Sequence, residues 1–182
     1  MKKLLLSLVA ALAVSLTSCA NNSGAKPSEK NGKVLIAYFS ATGNTARAAR
    51  KIADVTGGTL HEIEPEKSYS AADLDWTDHQ SRCYVEMHNL KLRPALKEKE
   101  TDLSAYDVVY IGYPIWWNIA PTIINTFIES NDLEGKTIIP FATSGGSTID
   151  NSASQLRKAY PNLKWGKAKL LNGASHDDIR NW

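Results

Sequence analysis

One junction, where an apolar strand meets a hydroxyl-rich loop and then a helix, constrains this chain more than any other feature. Residues 34–39 read VLIAYF, an uninterrupted apolar run typical of a strand that is buried on both faces. Residues 40–45, SATGNT, form the loop, and residues 46–55 repeat apolar side chains at helical spacing. Strands buried on both faces occur in parallel sheets covered by helices, so the junction predicts an α/β fold.

The loop at residues 40–45 carries groups that suit a phosphate. A helix begins with free N–H groups and the positive end of its dipole, Ser40, Thr42 and Thr45 add hydroxyls, and Gly43 allows close backbone approach. The loop lacks lysine and matches neither G-x-x-x-x-G-K-[ST] nor G-x-G-x-x-G, which disfavours a metal-bound triphosphate and a dinucleotide. We therefore expect one phosphate monoester, with an ordinary helix cap as the alternative.

The first 19 residues predict a bacterial lipoprotein signal. A basic start at residues 2–3 precedes an apolar segment at residues 4–16 that is too short to span a bilayer comfortably, and LTSC follows at residues 16–19. We expect cleavage before Cys19 and lipidation of that cysteine, with an ordinary secretory signal as the alternative. Residues 20–32 are polar and predict a flexible tether, so residues 33–182 would form one domain at a membrane surface outside the cytoplasm, facing the periplasm or on the cell surface.

The chain has 21 basic and 19 acidic residues. Because Lys2 and Lys3 would be removed with the signal, the mature chain would have 19 of each. A neutral domain without a basic arm makes nucleic acid a poor candidate partner. Cys83 would be the one remaining thiol, which excludes an internal disulfide and predicts a small, partly buried side chain rather than a nucleophile. The four histidines show no spacing typical of metal ligands.

Apolar runs alternate with helical segments through the rest of the chain. The further predicted strands lie at residues 59–63, 107–112, 137–142 and 168–171. The predicted helices lie at residues 44–56, 78–99 with an interruption near Pro94, 121–130 and 149–160. This alternation predicts a doubly wound parallel sheet with right-handed crossovers. The connection at residues 64–77 is long, which suits either a functional loop or a cover for the sheet edge.

Three loops should meet at the carboxyl ends of the strands, where such sheets bind ligands. They are residues 40–45, 113–118 and 143–148. Of the adjacent Trp116 and Trp117, we expect one in the core and one against a flat ligand ring; a core gap or a protein contact is the alternative. Arg47, Arg82 and Arg93 are expected on solvated helix positions, with contact to an anionic substrate as the alternative.

Three segments resemble the flavodoxin family, namely YFSATGNT at residues 38–45, GYPIWW at 112–117 and FATSGGS at 141–147. The resemblance covers residues 33–180 and implies a five-stranded parallel sheet in the order 2-1-3-4-5 with FMN at the strand tips. The FMN phosphate would be held by Ser40, Thr42, Gly43, Asn44 and Thr45. The isoalloxazine ring would be flanked by Pro114, Ile115, Trp116 and Trp117, and its pyrimidine edge bordered by Thr143, Ser144, Gly145, Gly146 and Ser147.

Two features depart from the family pattern. The loop at residues 143–148 lacks the tyrosine and the acidic residues that electron-carrier flavodoxins place there. Such acids repel the anionic reduced flavin, and about 1.4 kcal/mol of differential stabilisation shifts a one-electron potential by roughly 59 mV, so we expect a less negative potential here. A last helix beginning near Ser175 would end after about two turns, with Ile179 and Trp182 facing a sheet face that is partly uncovered.

The sequence supports three functions. The first is an FMN-binding redox protein that passes electrons to a protein partner or a small quinone-like acceptor at the membrane. The second is an FMN-dependent NAD(P)H:quinone-type oxidoreductase, and the third is a non-catalytic binding lipoprotein on a flavodoxin scaffold. Fold alone does not choose among them, and the sequence leaves open whether the protein turns over a substrate.

Overall fold

The computed structural model describes residues 32–182, so the predicted signal, the lipidated Cys19 and the tether to residue 31 lie outside the described residues. The strands of the described part are β1 Val34–Tyr38, β2 Thr59–Glu62, β3 Val108–Pro114, β4 Thr137–Thr143, β5 Lys164–Trp165 and β6 Lys169–Leu170. Its α-helices are α1 Asn44–Thr56, α2 Arg82–His88, α3 Thr122–Ser130, α4 Asp150–Ala159 and α5 His176–Arg180, and one turn of 3-10 helix spans Ala72–Leu74.

The strands form one parallel sheet in the order β2-β1-β3-β4-β5, and this confirms the predicted order 2-1-3-4-5. The short strand β6 also pairs in parallel with β4. Since β3 occupies one edge of β4, β5 and β6 lie end to end along the other edge. The fifth position is therefore a strand interrupted at residues 166–168, and the predicted strand at 168–171 is its second half.

Different helices cover the two faces of the sheet. Leu35, Val109 and Ile111 lie in the apolar cluster that includes α3 and α4, while Ile36 and Phe141 lie in the cluster that includes α1 and α5. Neighbouring strand residues alternate between these faces, as the pleat requires. All of these side chains are buried, which confirms the prediction that β1 is covered on both sides.

The predicted helix at residues 78–99 is wrong beyond one short segment, α2. The helix begins after Ser81, whose hydroxyl accepts from the N–H of Tyr84, and it ends at Asn89. The chain then turns, and the N–H of Lys97 donates to the carbonyl of Glu64 at 2.9 Å. Pairing with the connection after β2 therefore overrides the helical periodicity of residues 89–99.

The last helix follows the sequence prediction. The hydroxyl of Ser175 accepts from the N–H of Asp178, whose carboxylate accepts from the N–H of Ser175, and this pair is a capping box. Ile179 is buried against the sheet, and the indole of Trp182 lies 5.4 Å from the ring of Tyr110. Both apolar residues thus face the sheet, as expected.

The fully buried Tyr113 makes the stability of the fold fall as the pH rises in the alkaline range. Its hydroxyl lies 3.2 Å from that of Ser152, and burial raises the pKa of Tyr113 to about 12. The folded state therefore favours the neutral phenol. Its contribution to stability is complete below pH 10, the pKa of an unfolded tyrosine, and is lost as the pH rises to about 12.

We expect Tyr113→Phe to flatten the loss of stability between pH 10 and 12. One fewer tyrosine ionises on unfolding, and each such group contributes a slope of up to about 1.4 kcal/mol per pH unit. Denaturant unfolding of the parent and the variant at half-unit pH steps measures the difference, and the two curves should run parallel below pH 9. Parallel curves up to pH 12 would contradict the assignment.

Candidate functional site

A cleft at the carboxyl ends of the strands brings the three predicted loops together. Its volume is about 590 Å³, within the range of roughly 300–1,000 Å³ that is typical of small-molecule sites. The residues lining it are Thr42, Asn44, Arg47, Ala48, Lys51, Pro114, Ile115, Trp116, Thr143, Ser144, Gly145, Leu171, Asn172 and Gly173. The set includes members of the loops after β1, β3 and β4, together with a fourth segment that follows β6.

The loop after β1 presents free backbone donors at the start of α1. Gly43 precedes the helix with φ of +81°, a left-handed conformation that glycine adopts at little cost. Within residues 32–182, the N–H groups of Gly43, Asn44 and Thr45 have no protein acceptor. These donors lie at the positive end of the dipole of a 13-residue helix, so the loop suits an anion.

The side chains of this loop divide between structural bonds and the cleft. The hydroxyl of Ser40 accepts from the N–H of Ala46 at 3.1 Å and so caps the helix. Thr45 is only 1% exposed, and its hydroxyl lies 2.9 Å from that of Thr143. This hydrogen bond joins the loop after β1 to the end of β4. Thr42 and Asn44 are exposed and line the cleft, with the Asn44 amide donating to the Thr42 hydroxyl at 3.2 Å.

Two cations of α1, Arg47 and Lys51, line the cleft. Arg47 is exposed on the helix, as expected, and its place in the cleft favours the alternative of a contact with an anion, whereas the sequence prediction did not include Lys51. The guanidinium of Arg47 donates to the amide oxygen of Asn44, and the ammonium of Lys51 donates to the carbonyl of Ala174 at 2.6 Å. Their spacing of four residues puts both on one face of the helix. Arg47 and Lys51 follow Gly43 by four and eight residues, so they lie on the same helix face as the loop. That spacing is the sequence signal that could have identified them as cleft residues.

The loop after β3 contains a tight hairpin turn. Trp116 and Ile119 exchange two backbone hydrogen bonds of 3.0 and 2.9 Å, and the two residues between them have positive φ, +43° for Trp117 and +65° for Asn118. Positive φ at both central positions defines a type I′ turn. Asn tolerates this conformation, whereas tryptophan rarely adopts it, so Trp117 is held in a strained backbone.

The two tryptophans differ in burial, but neither lies in the core, where we expected one of them: Trp116 packs against the core while partly exposed, and Trp117 is exposed. The ring of Trp116 is partly buried and meets the rings of Phe39 and Tyr69 edge to face, each at 5.6 Å between centroids. The ring of Trp117 is 39% exposed and rests edge-on against Tyr84 and His88. Trp116, Pro114 and Ile115 line the 590 Å³ cleft, whereas Trp117 lies beyond it.

The loop after β4 is shaped by one hydroxyl. Ser144 Oγ accepts from the N–H groups of Gly146 and Ser147 at 3.1 and 2.7 Å. The N–H of Gly145 lines the cleft and has no protein acceptor among the described residues. Asn172 binds the backbone N–H and carbonyl of Ser144, so the segment after β6 fixes this loop; the sequence prediction missed that contact.

The connection after β2 forms a wall beside Trp116. The hydroxyl of Tyr69 donates to the buried Glu86 at 2.5 Å, and Arg82 donates to the other oxygen of that carboxylate at 2.6 Å. The guanidinium of Arg82 also lies 3.8 Å above the ring of Tyr69. Burial and the hydrogen bond to Glu86 raise the pKa of Tyr69 far above its ordinary value, so the phenol stays protonated as a donor.

A second cavity of about 460 Å³ opens between this wall and the turn after β3. Its lining consists of Ala41, Thr42, Leu74, Trp76, Cys83, Pro114, Ile115, Trp116 and Trp117. Leu74 and Trp76 come from the long connection that the sequence left as either functional or a cover. Cys83 is buried, in agreement with its predicted structural role.

Metal-binding clusters and membrane-spanning helices are both absent from the described residues. No group of three or more potential metal ligands occurs within residues 32–182. Among the helices of that same range, none combines the length and the apolar character needed to cross a bilayer. The residues that line the cleft offer neutral donors, two cations and the indole of Trp116, a set suited to a phosphorylated aromatic ligand.

Known structures resemble this one closely. A candidate flavoprotein from Bacteroides uniformis is 59% identical, and the match covers 83% of this chain and 97% of that one with a TM-score of 0.81. A candidate flavoprotein from Bacteroides eggerthii is 57% identical, with coverages of 82% and 94% and a TM-score of 0.81. A flavoprotein from Lactobacillus acidophilus, solved in complex with FMN, is 23% identical over 76% of this chain and 93% of that one, with a TM-score of 0.63.

Sequence comparison leads to the same group. No curated protein matches the chain. The model of the flavodoxin family, in contrast, matches residues 33–182, which is nearly the whole of the described part. On this match and on the two Bacteroides relatives, the chain belongs to the flavodoxin family.

Proposed function

We propose that this chain is an FMN-binding redox protein that acts at a membrane surface outside the cytoplasm. The observation that carries the FMN assignment is the shared cleft of about 590 Å³, which Thr42 and Asn44 at the start of α1 and Trp116 after β3 line together. A flavoprotein from Lactobacillus acidophilus with a similar fold has been solved in complex with FMN. Bound FMN supplies reversible oxidation and reduction by hydride or single-electron transfer.

The residues of the cleft fit the two ends of FMN. The side chains of Thr42 and Asn44 and the unengaged N–H groups of Gly43, Asn44 and Thr45 would hold the phosphate, and Arg47 adds a positive charge beside them. The Ser40 hydroxyl supports this loop by capping α1. Pro114, Ile115 and Trp116 would flank the ring, whereas Trp117, which the sequence had also placed there, lies outside this cleft. The segment from Thr143 to Ser147 borders the ring edge, where the N–H of Gly145 is the unengaged donor.

The hydrogen bond between Thr45 and Thr143 sets the distance between the phosphate loop and the loop after β4. Both side chains are buried, so this bond acts on the position of the loops rather than on a ligand directly. It fixes the span over which a single molecule contacts both loops. Because the loops are already ordered, ligand binding loses less conformational entropy than it would with mobile loops.

The visible spectrum of the purified protein tests the FMN assignment. We expect protein incubated with FMN to keep the yellow flavin absorption through gel filtration, at close to one flavin per chain. Riboflavin, which lacks the phosphate, should be lost under the same conditions because the α1 donors then have no anion to bind. Protein that remains colourless after incubation with FMN would overturn the assignment and favour a flavin-free binding protein.

The location rests on the signal pattern at residues 1–19. We expect Cys19 to carry acyl chains, each buried methylene of which contributes about 0.8 kcal/mol to membrane attachment. Cells grown with labelled palmitate should yield labelled, membrane-bound parent protein. The Cys19→Ser variant should lose both the label and the membrane attachment, whereas Cys83→Ser should keep them. Labelling of Cys19→Ser at the parental level would contradict this location.

A further inference from the structure

The second cavity lies next to the proposed flavin site without being part of it. The two cavities share Thr42 and the segment Pro114–Trp116, so they meet along the loops after β1 and β3. The remaining lining of the second cavity, Leu74, Trp76 and Cys83, comes from the connection after β2 and from α2. A ligand in this cavity would therefore lie beside the flavin-flanking segment, on the side of the β2 connection.

The lining of this cavity carries no charged side chain. Two acids flank Leu74 in the sequence, but both carboxylates are engaged in local turns. Asp73 accepts from the N–H and hydroxyl of Ser70, and Asp75 accepts from the N–H and hydroxyl of Thr77. A charged ligand would lose its hydration here without gaining a partner, so the cavity favours a neutral molecule.

Two indole side chains that line the cavity are exposed to solvent, which is unfavourable for large apolar groups. Trp76 is 70% exposed and Trp117 is 39% exposed, although both are large apolar side chains. Trp117 also occupies a left-handed conformation with φ of +43°, which is unfavourable for an L-residue with a large side chain. Exposed aromatic surface and backbone strain at one place are typical of a binding site, and indole faces prefer flat aromatic partners.

The walls of the cavity are held in place by buried polar contacts. The carboxylate of Glu86 binds Tyr69 and Arg82, and the ring of Tyr69 supports Trp116 from behind. On the opposite side, the two-residue turn fixes the position of Trp117. The cavity is therefore formed before a ligand enters, as is usual for small-molecule sites.

We propose that the second cavity binds a neutral, planar acceptor of the quinone class. This inference rests on the proposed function and names the substrate that the flavin site would serve. Such a quinone would take a hydride from reduced FMN in the adjacent cleft and a proton from solvent to become a quinol. The flavin would return to its oxidised form, and a donor of the nicotinamide class would reduce it again. The position of the cavity beside Pro114–Trp116 brings such an acceptor next to the flavin-flanking loop.

Calorimetric titration with duroquinone tests the cavity without turnover. Duroquinone is neutral and planar, and its ring is fully substituted, so it does not add covalently to the thiol of Cys83. It should bind the FMN-loaded, oxidised protein at one site. Trp76→Ala should weaken this binding by up to roughly tenfold because a stacking partner is lost, while FMN affinity stays at the parental value. Leu90→Ala is the matched control, since Leu90 is an exposed apolar residue that does not line the cavity, and it should bind like the parent.

Three results would overturn the inference. They are no binding of duroquinone to the parent, equally tight binding by Trp76→Ala and Leu90→Ala, and competition between duroquinone and FMN for one site. Failure of FMN itself to bind the parent chain would overturn the proposed function instead. Titration of the flavin-free protein separates the two, because the second cavity is lined by protein residues alone and should bind duroquinone without FMN as well.

Discussion

We expect Asn44→Asp to weaken FMN binding by more than about 100-fold while leaving the fold at least as stable as that of the parent. The substitution keeps the shape of an exposed side chain in the phosphate loop and adds one negative charge. A phosphate monoester carries nearly two negative charges at neutral pH, and like charges in contact cost several kcal/mol, where each 1.4 kcal/mol is tenfold in affinity. The new carboxylate would also bind Arg47, which already donates to Asn44.

The effect on stability has the opposite sign. Asn44 is the first residue of α1, where an acidic side chain interacts favourably with the helix dipole by about 0.3–1 kcal/mol. Loss of FMN affinity would therefore not result from unfolding. Flavin fluorescence titration measures the affinity, and thermal unfolding of flavin-free protein measures the stability.

Two controls isolate the contact between the loop and the phosphate. Asn162→Asp makes the same change at an exposed position just before β5, at the opposite edge of the sheet, and should bind FMN like the parent. Riboflavin lacks the phosphate, so its weaker affinity should be the same for the parent and Asn44→Asp. Equal FMN affinity in the two Asp variants would mean that residues 40–45 do not hold the phosphate.

The sheet and the three loops were predictable because their determinants are local. The run at residues 34–39 is buried on both faces, and helix α1 begins and ends at the predicted residues because Gly43 and Gly57 both take positive φ beside it. Parallel strands end at one edge of the sheet, so the order of the strands was sufficient to bring the loops after β1, β3 and β4 together.

The remaining features depend on contacts between distant parts of the chain. The helical pattern at residues 78–99 gives way to pairing between Glu64 and Lys97, which no local signal indicates. Arg47 looks like a solvated helix residue until the orientation of α1 against the loop after β6 is known. Trp76 is a single aromatic residue in a long connection, and its place in the second cavity follows from the packing of that connection against α2.

Gly112→Ala should have the largest effect on stability. A Cβ at this position would lie 2.1 to 2.6 Å from three ring atoms of Phe141, closer than real contacts allow. Gly112 pairs with Tyr38 on one side and Phe141 on the other, and both residues at the contact are fully enclosed. The ring has no room to move because it packs in the cluster beneath α1. We expect a loss of about 3 kcal/mol, at the upper end of the usual cost of overpacking.

The clash also predicts how a second substitution should act. Phe141→Leu removes the ring and by itself costs stability through the lost contacts and the cavity that remains. In the double variant the methyl group of the new alanine occupies part of that space. The loss of unfolding free energy in the double variant should therefore be smaller, by at least about 1 kcal/mol, than the sum of the losses in the two single variants. Gly146→Ala is the control, since nothing lies within 4 Å of its added Cβ, and it should stay within about 0.5 kcal/mol of the parent. Denaturant unfolding of the four proteins measures the coupling, and strictly additive losses would show that Gly112 is required for a reason other than the space taken by Phe141.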